Sequence, residues 1–226
     1  MFNFNFLKQM TKKINLRNVV AIAICLTGMT MFSGCDKDPI AVEKEGGVVI
    51  NNVCWAKCNV GALGTFVANP EDAGMFYQWN RPKAWASTGE VTGWDKTIPA
   101  GTTWERANDP SPAGWRVPTE TEIRKLLDEN KVKREFVEQN GVKGCKFTDL
   151  STNKTVFFPI NGYRYKEAGE HFNQNRISKY WGKNVYYTNN AYMLNIDNWT
   201  SSESDDGVFL SGTEMNSGCL VRPVAE

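Results

Sequence analysis

The stretch that most constrains how this chain can fold is Gly114-Trp115-Arg116-Val117-Pro118-Thr119-Glu120-Thr121-Glu122, which runs into Ile123-Arg124-Lys125-Leu126-Leu127. Thr119 followed three residues later by Glu122 is a capping box: the hydroxyl accepts from an orphan backbone N–H, and the carboxylate reaches back to the cap's own N–H. Glu120 and Glu122 also place negative charge at the positive end of the helix dipole. Ile123, Leu126 and Leu127 fall at i, i+3 and i+4, on one helical face. Pro118 pushes Val117 into an extended conformation. The spacing therefore predicts a strand at Trp115-Arg116-Val117 that turns sharply into a short amphipathic helix.

The N-terminus reads as a targeting segment. Lys8, Lys12, Lys13 and Arg17 form a basic region ahead of an apolar run from Val19 to Phe32. At about 14 residues this run is shorter than the roughly 20 a membrane-spanning helix needs. It ends in Phe32-Ser33-Gly34-Cys35, which resembles a bacterial lipobox. On that reading residues 1–34 are a lipoprotein signal peptide and Cys35 carries the lipid; the alternative is an ordinary signal peptide in which Cys35 is incidental. Translation starts at Met1 or at Met10, which leaves a tidier signal. Residues 35–47 comprise the lipidated Cys and a charged stretch with Pro39 and Gly46-Gly47, a flexible tether. The membrane is then the first expected partner, and the expected location is a bacterial envelope, lipid-anchored at the outer membrane.

Residues 48–226 fit a single domain. The chain carries 26 Lys and Arg against 25 Asp and Glu, a net charge of +1, which argues against a nucleic-acid partner. There are 8 Trp. Each aromatic side chain buries about 150–250 Å², roughly 4–6 kcal/mol apiece as an upper bound. Most must lie in the core, which leaves two or three for a binding face.

Along the chain, Val48–Ile50 and Val53–Trp55 read as strands around an Asn51-Asn52 turn. Pro70–Ala73 reads as a first helical turn capped by Asn69. Residues 80–112 lack a period and carry Trp85, Trp94 and Trp104. Residues 130–140 are polar and compatible with a second helical turn. Residues 144–148 and 155–158 read as a hairpin, and residues 165–190 as a second long polar and aromatic segment. Ala191–Ile196 is an expected strand. A Ser211-Gly212 turn is expected to join Val208–Leu210 to a closing antiparallel partner at 219–224.

Further segments, in the same order, resemble the motifs of the Fibrobacter succinogenes major paralogous domain family, a set of bacterial secreted and lipid-anchored modules. The nine-residue stretch resembles its GWRVPT signature through Trp115, Arg116, Pro118, Thr119 and Glu122. Trp55–Val60 resembles its opening strand, Gly74–Trp79 its G-x-x-Y-x-W, Phe158–Arg164 its LPAAGYR, Trp199–Ser202 its YWSS, and Gly218–Val224, with Arg222, its closing VRPV. The resemblance spans residues 48–226. It implies an α+β, C-type-lectin-like fold: short antiparallel sheets, one or two short helices, and long loops pinned by aromatics. Binding on that scaffold is expected in the long loops.

Four cysteines remain after Cys25 and Cys35: Cys54, Cys58, Cys145 and Cys219. On one extended strand Cys54 and Cys58 would lie roughly 13 Å apart, beyond the bridging limit of about 7 Å, so that pair needs a turn between them. Family members often carry the partner of Cys58 where this chain has Ser111. Cys145 with Cys219 is the preferred remaining pair; the alternative is four buried thiols.

The sequence offers little catalytic chemistry. His171 is the only His, Ser201-Ser202 has no G-x-S-x-G elbow, and Cys54-x-x-x-Cys58 is mis-spaced for a redox site. No zinc cluster or phosphate-cradling loop is present, and a non-enzyme is expected. Calcium is the one candidate cofactor, from oxygens at Asn195, Asp197, Asn198, Glu203, Asp205 and Asp206, although the E-P-N loop of sugar-binding C-type lectins is absent. The candidate ligand-binding residues are Tyr165, His171, Trp181, Tyr187 and Trp199, aromatics with polar neighbours that suit a sugar face or a protein hot spot. The alternative is that they pin a loop to the core. Two functions follow: a non-enzymatic binding module for a glycan or protein at the cell surface, or a structural subunit of a surface appendage or envelope complex.

Overall fold

Thr119 caps helix formation as its spacing predicts. The structure, a computed structural model, describes residues 40–199 and 207–226. Its elements run β1 (Gly47–Ile50), β2 (Val53–Ala56), β3 (Phe76–Gln78), β4 (Ala84–Trp85), β5 (Trp115–Arg116), α1 (Glu120–Leu126), β6 (Val132–Gln139), β7 (Val142–Asp149) and β8 (Thr155–Pro159). Then follow β9 (Tyr163–Arg164), β10 (His171–Phe172), β11 (Ile177–Tyr187), β12 (Asn190–Asp197), β13 (Val208–Glu214), β14 (Gly218–Cys219) and β15 (Val224–Ala225). At α1 the Thr119 hydroxyl accepts from Glu122 N, and the Glu122 carboxylate accepts from Thr119 N at 2.8 Å. The same carboxylate takes a bidentate pair of bonds from Arg116, at 2.6 and 2.8 Å. Burial alone would raise the pKa of Glu122, but Arg116 and the cap hold it below the usual carboxylate value. One ion pair thus ties strand β5 to the helix it precedes, while Ile123 and Leu126 enter the core.

The named strands pair antiparallel in four small sheets, ordered β1-β2-β15-β5, β10-β9-β14-β3-β4, β11-β12-β13 and β6-β7-β8. Among the described residues this is an α+β architecture of many short strands and one α-helix. Asn51 and Asn52 both adopt positive φ, 43° and 61°, as the tight turn between β1 and β2 requires. The last strand joins the first elements, because Val224 of β15 pairs with Trp55 on one side and Arg116 on the other. Among the described residues no helix is long and apolar enough to cross a membrane.

Two large hydrophobic clusters fill most of the interior, and a third, smaller one gathers Cys54, Ala56 and Trp115. Of the large pair, one gathers Ile50, Trp55, Phe158, Leu194 and Ile196; the other gathers Trp79, Trp104, Trp181, Met193 and Val221. Six tryptophans (55, 79, 85, 104, 115 and 181) are buried, which leaves Trp94 half-buried and Trp199 exposed. Two arginines are also fully buried, and each donates to carbonyl or amide oxygens. Arg222 donates to Asn59 Oδ1 at 2.8 Å, Ala56 O at 3.1 Å and Phe157 O at 3.0 Å. Arg164 donates to the carbonyls of Ala86, Thr88, Gly89 and Gly169.

Several expectations are corrected. Within residues 130–140, Val132–Gln139 form strand β6, paired with β7 over its whole length from Val132↔Asp149 to Gln139↔Val142. Pro70–Ala73 is a turn, with Asp72 Oδ2 accepting from the backbone and side chain of Asn69. The 165–190 segment contains the eleven-residue strand β11. Ser211-Gly212 lies inside β13, where Gly212 leaves room for the Tyr186 ring that a Cβ would strike. The partner of β13 is β12, while β14 and β15 enter two other sheets. No disulfide joins Cys54, Cys58, Cys145 and Cys219. The expected Cys145–Cys219 bridge is not formed: Cys145 packs in the first cluster and Cys219 in the second. Cys35 and the 1–34 signal lie outside the described residues.

Candidate functional site

The five residues proposed for binding do not converge. Trp181 is corrected outright: it is fully buried in β11, and its indole N–H donates to Tyr77 O at 2.7 Å. His171 is half-buried, with Nε2 2.6 Å from Asn161 O and its ring edge-on to Phe76. Burial lowers its pKa, helped by the nearby Arg164 cation, against the opposing pull of the Asn161 carbonyl. Tyr165 lies on the surface beside Phe172, ring centroids 5.4 Å apart, and Phe172 in turn meets Tyr163. Tyr187 sits at the tip of the β11–β12 hairpin, paired with Asn190. Trp199 follows the opposite end of β12 and lies under the Arg176 guanidinium at 4.6 Å. Strand β12 alone separates those two by about 25 Å.

The calcium set is also dispersed. Asn195 is buried, Asp197 Oδ1 accepts from Trp199 N at 3.0 Å, and Glu203, Asp205 and Asp206 lie outside the described residues. Among the described residues no three His, Cys, Asp or Glu side chains group together as metal ligands. Burial pushes the Cys219 thiol up to about 12 and also raises that of Cys58, so both are protonated at neutral pH and poor nucleophiles.

A concave site does exist, in the first long segment. A cleft of about 520 Å³ lies between the β3–β4 connection and the 93–96 loop. It is lined by Gln78, Arg81, Pro82, Lys83, Gly93, Trp94, Asp95 and Lys96. That volume falls in the usual range of small-ligand sites. Gln78 is held rigid, because its Nε2 donates to Asp95 O at 2.6 Å and to Asn216 O at 2.8 Å. Trp94 is fixed by an indole N–H bond to Lys166 O at 3.0 Å and by its packing on Trp85, centroids 4.7 Å apart. Gly169 and Gly218 make room for that ring, since a Cβ at either would collide with it. Arg81 ion-pairs with Asp95 and donates to the Thr97 carbonyl and hydroxyl, at 2.9 and 2.7 Å. Lys83 Nζ stands 3.8 Å from the centroid of the Trp85 ring.

The aperiodic, Trp-rich composition of residues 80–112 marks this region as an aromatic-pinned loop. Its concavity depends on Gln78 reaching Asn216, 138 residues away, and nothing local announces that contact. Comparison with known protein families, curated sequences and solved structures returns no match for this chain, so the family resemblance rests on its short motifs alone.

Proposed function

We propose that this chain is a non-enzymatic binding module of the bacterial cell envelope, anchored through lipid on Cys35, with residues 48–226 as one C-type-lectin-like domain that binds a glycan. The observation that carries the reading is the cleft at the β3–β4 connection. It sets a fixed indole and several cationic donors in one concavity, whose wall is held by the buried Gln78 carboxamide. Such a set suits a saccharide: the indole covers the apolar C–H face of a sugar ring, and the polar groups meet its hydroxyls. The small antiparallel sheets and the short capped helix agree with the fold that the motifs imply. Protonated thiols and a packed histidine support a binding role over a catalytic one.

The assembly-subunit reading draws less support. Strand β6, one of the long edge strands that could accept another chain, carries Lys133, Arg134, Glu135 and Glu138, the charged decoration that blunts edge pairing. The deciding experiment is a glycan array probed with the detergent-solubilised full chain and its Trp94→Ala variant. Glycan binding lost in a variant that keeps its circular dichroism spectrum supports the reading. Binding that survives Trp94→Ala, or no binding to any glycan, would overturn it.

A further inference from the structure

We infer that the saccharide bound in this cleft is acidic, carrying carboxylate or sulfate groups; the inference rests on the cleft being the binding site. Of its lining side chains Arg81, Lys83 and Lys96 are cationic and only Asp95 is anionic. Asp95 is already engaged, because it ion-pairs with Arg81 and accepts from Thr97 N and from the Thr97 hydroxyl. These bonds hold its pKa below the usual value, the Thr97 hydroxyl contributing most, so it stays ionised. That pair cancels within itself. Lys83 and Lys96 remain, and neither makes an ion pair among the described residues.

The excess is local. The chain as a whole is balanced, 26 basic against 25 acidic residues, so two uncancelled ammonium groups at one cleft are not a sample of a basic surface. Lys83 is also positioned. Its ammonium rests on the Trp85 ring at 3.8 Å, and Trp85 packs on the Trp94 that lines the cleft. A cation–π contact holds an ammonium in place without neutralising its charge. In a concave wall such charges focus the field on whatever enters. A neutral sugar would strip water from these ammonium groups and return only hydroxyl acceptors. A carboxylate or sulfate returns charge-assisted hydrogen bonds, roughly twice as strong. The indole plane meanwhile favours a cyclic ligand over a bare anion.

The test is titration calorimetry with the detergent-solubilised full chain against matched probes: oligogalacturonate and its methyl ester, and a sulfated heparin-derived oligosaccharide and its desulfated form. The expected result is that an acidic probe binds at least tenfold tighter than its neutral counterpart. Added salt and the Lys83→Gln/Lys96→Gln double variant should each erase that difference, while a remote Lys143→Gln control leaves it intact. Whether the carboxylated or the sulfated probe binds distinguishes the two sources of charge. Equal binding of acidic and neutral probes, lost in Trp94→Ala, would overturn the acidic-ligand inference and leave the cleft as a saccharide site. Acid-selective binding unchanged in the double variant would overturn the assignment to these lysines. Binding of poly-glutamate but of no saccharide, or of nothing at all, would overturn both the inference and the reading beneath it.

Discussion

Asp149, at the end of β7, is a side chain whose removal should cost this fold more than its size suggests. Its Oδ2 accepts from Asn51 N in the β1–β2 turn at 2.7 Å. Its Oδ1 accepts from Ser151 N at 2.9 Å, the Ser151 hydroxyl at 2.6 Å and Thr152 N at 2.9 Å. One carboxylate thus closes its own hairpin turn and bolts it to another. Burial works to raise its pKa, but the Ser151 hydroxyl and the three backbone N–H groups outweigh burial and bring it from 3.8 to about 2. A drop of that size is worth about 2.4 kcal/mol at most; near the surface, solvent screening reduces this to about 1–2 kcal/mol. Because the folded-state value is the lower one, the contribution is complete at neutral pH. It is lost as pH falls from about 5 through 2. Asp149→Asn keeps the shape but presents one carbonyl oxygen where two charged ones stood. Urea unfolding followed by tryptophan fluorescence should show the variant about 1–2 kcal/mol less stable at pH 7, a fall in Tm of about 2–8 °C for a domain of this size. At pH 2 the gap should shrink to a few tenths of a kcal/mol. A variant equally stable at pH 7, or a gap of the same size at pH 2, would refute this account of Asp149.

Two further outcomes test the placement of the aromatic residues. Trp181→Ala, which empties a core position, should cost about 3–5 kcal/mol in urea unfolding, whereas Tyr187→Ala at the hairpin tip should change stability by less than about 0.5 kcal/mol; comparable losses at the two sites would contradict the burial described. His171 is neutral in the folded state because burial lowers its pKa, so the unfolded chain binds the extra proton first and stability declines as pH drops below about 6.5. His171→Phe should flatten the stability–pH profile between pH 7 and 5, and parallel profiles for the two proteins would count against a buried neutral imidazole.

The parts of the fold legible in the sequence are those whose cause is local. Thr119 and Glu122 are three residues apart, and the Asn51-Asn52 turn is self-contained. So is the hairpin of β7 and β8, apart from the Asp149 bond that leaves it. The sequence misleads where a distant partner decides. Strand β6 has no apolar alternation of its own and is a strand because β7 pairs with it residue by residue. Strand β11 hides its alternation behind register shifts between Trp181 and Val185 and between Val185 and Tyr187, so its aromatics read as loop decoration. Gly212 imitates a turn residue but serves a Tyr186 ring that arrives from another strand. The cleft was out of reach for the same reason. Trp85 and Trp94 stand out in composition, but which of their faces meets solvent is set by Gly169, Lys166 and Gly218.

Arg164 has a consequence for how such a domain can change. The guanidinium holds the 86–89 stretch through the carbonyls of Ala86, Thr88 and Gly89, atoms that every amino acid supplies. The course of the segment leading to Trp94 is therefore anchored by groups that mutation of the side chains at 86 and 88 leaves in place. Arg222 does the same for the backbone at Ala56 and Phe157. Fixing a loop by its main chain separates its route from its side chains. A lineage can then vary the wall of the cleft one substitution at a time without renegotiating the architecture that presents it.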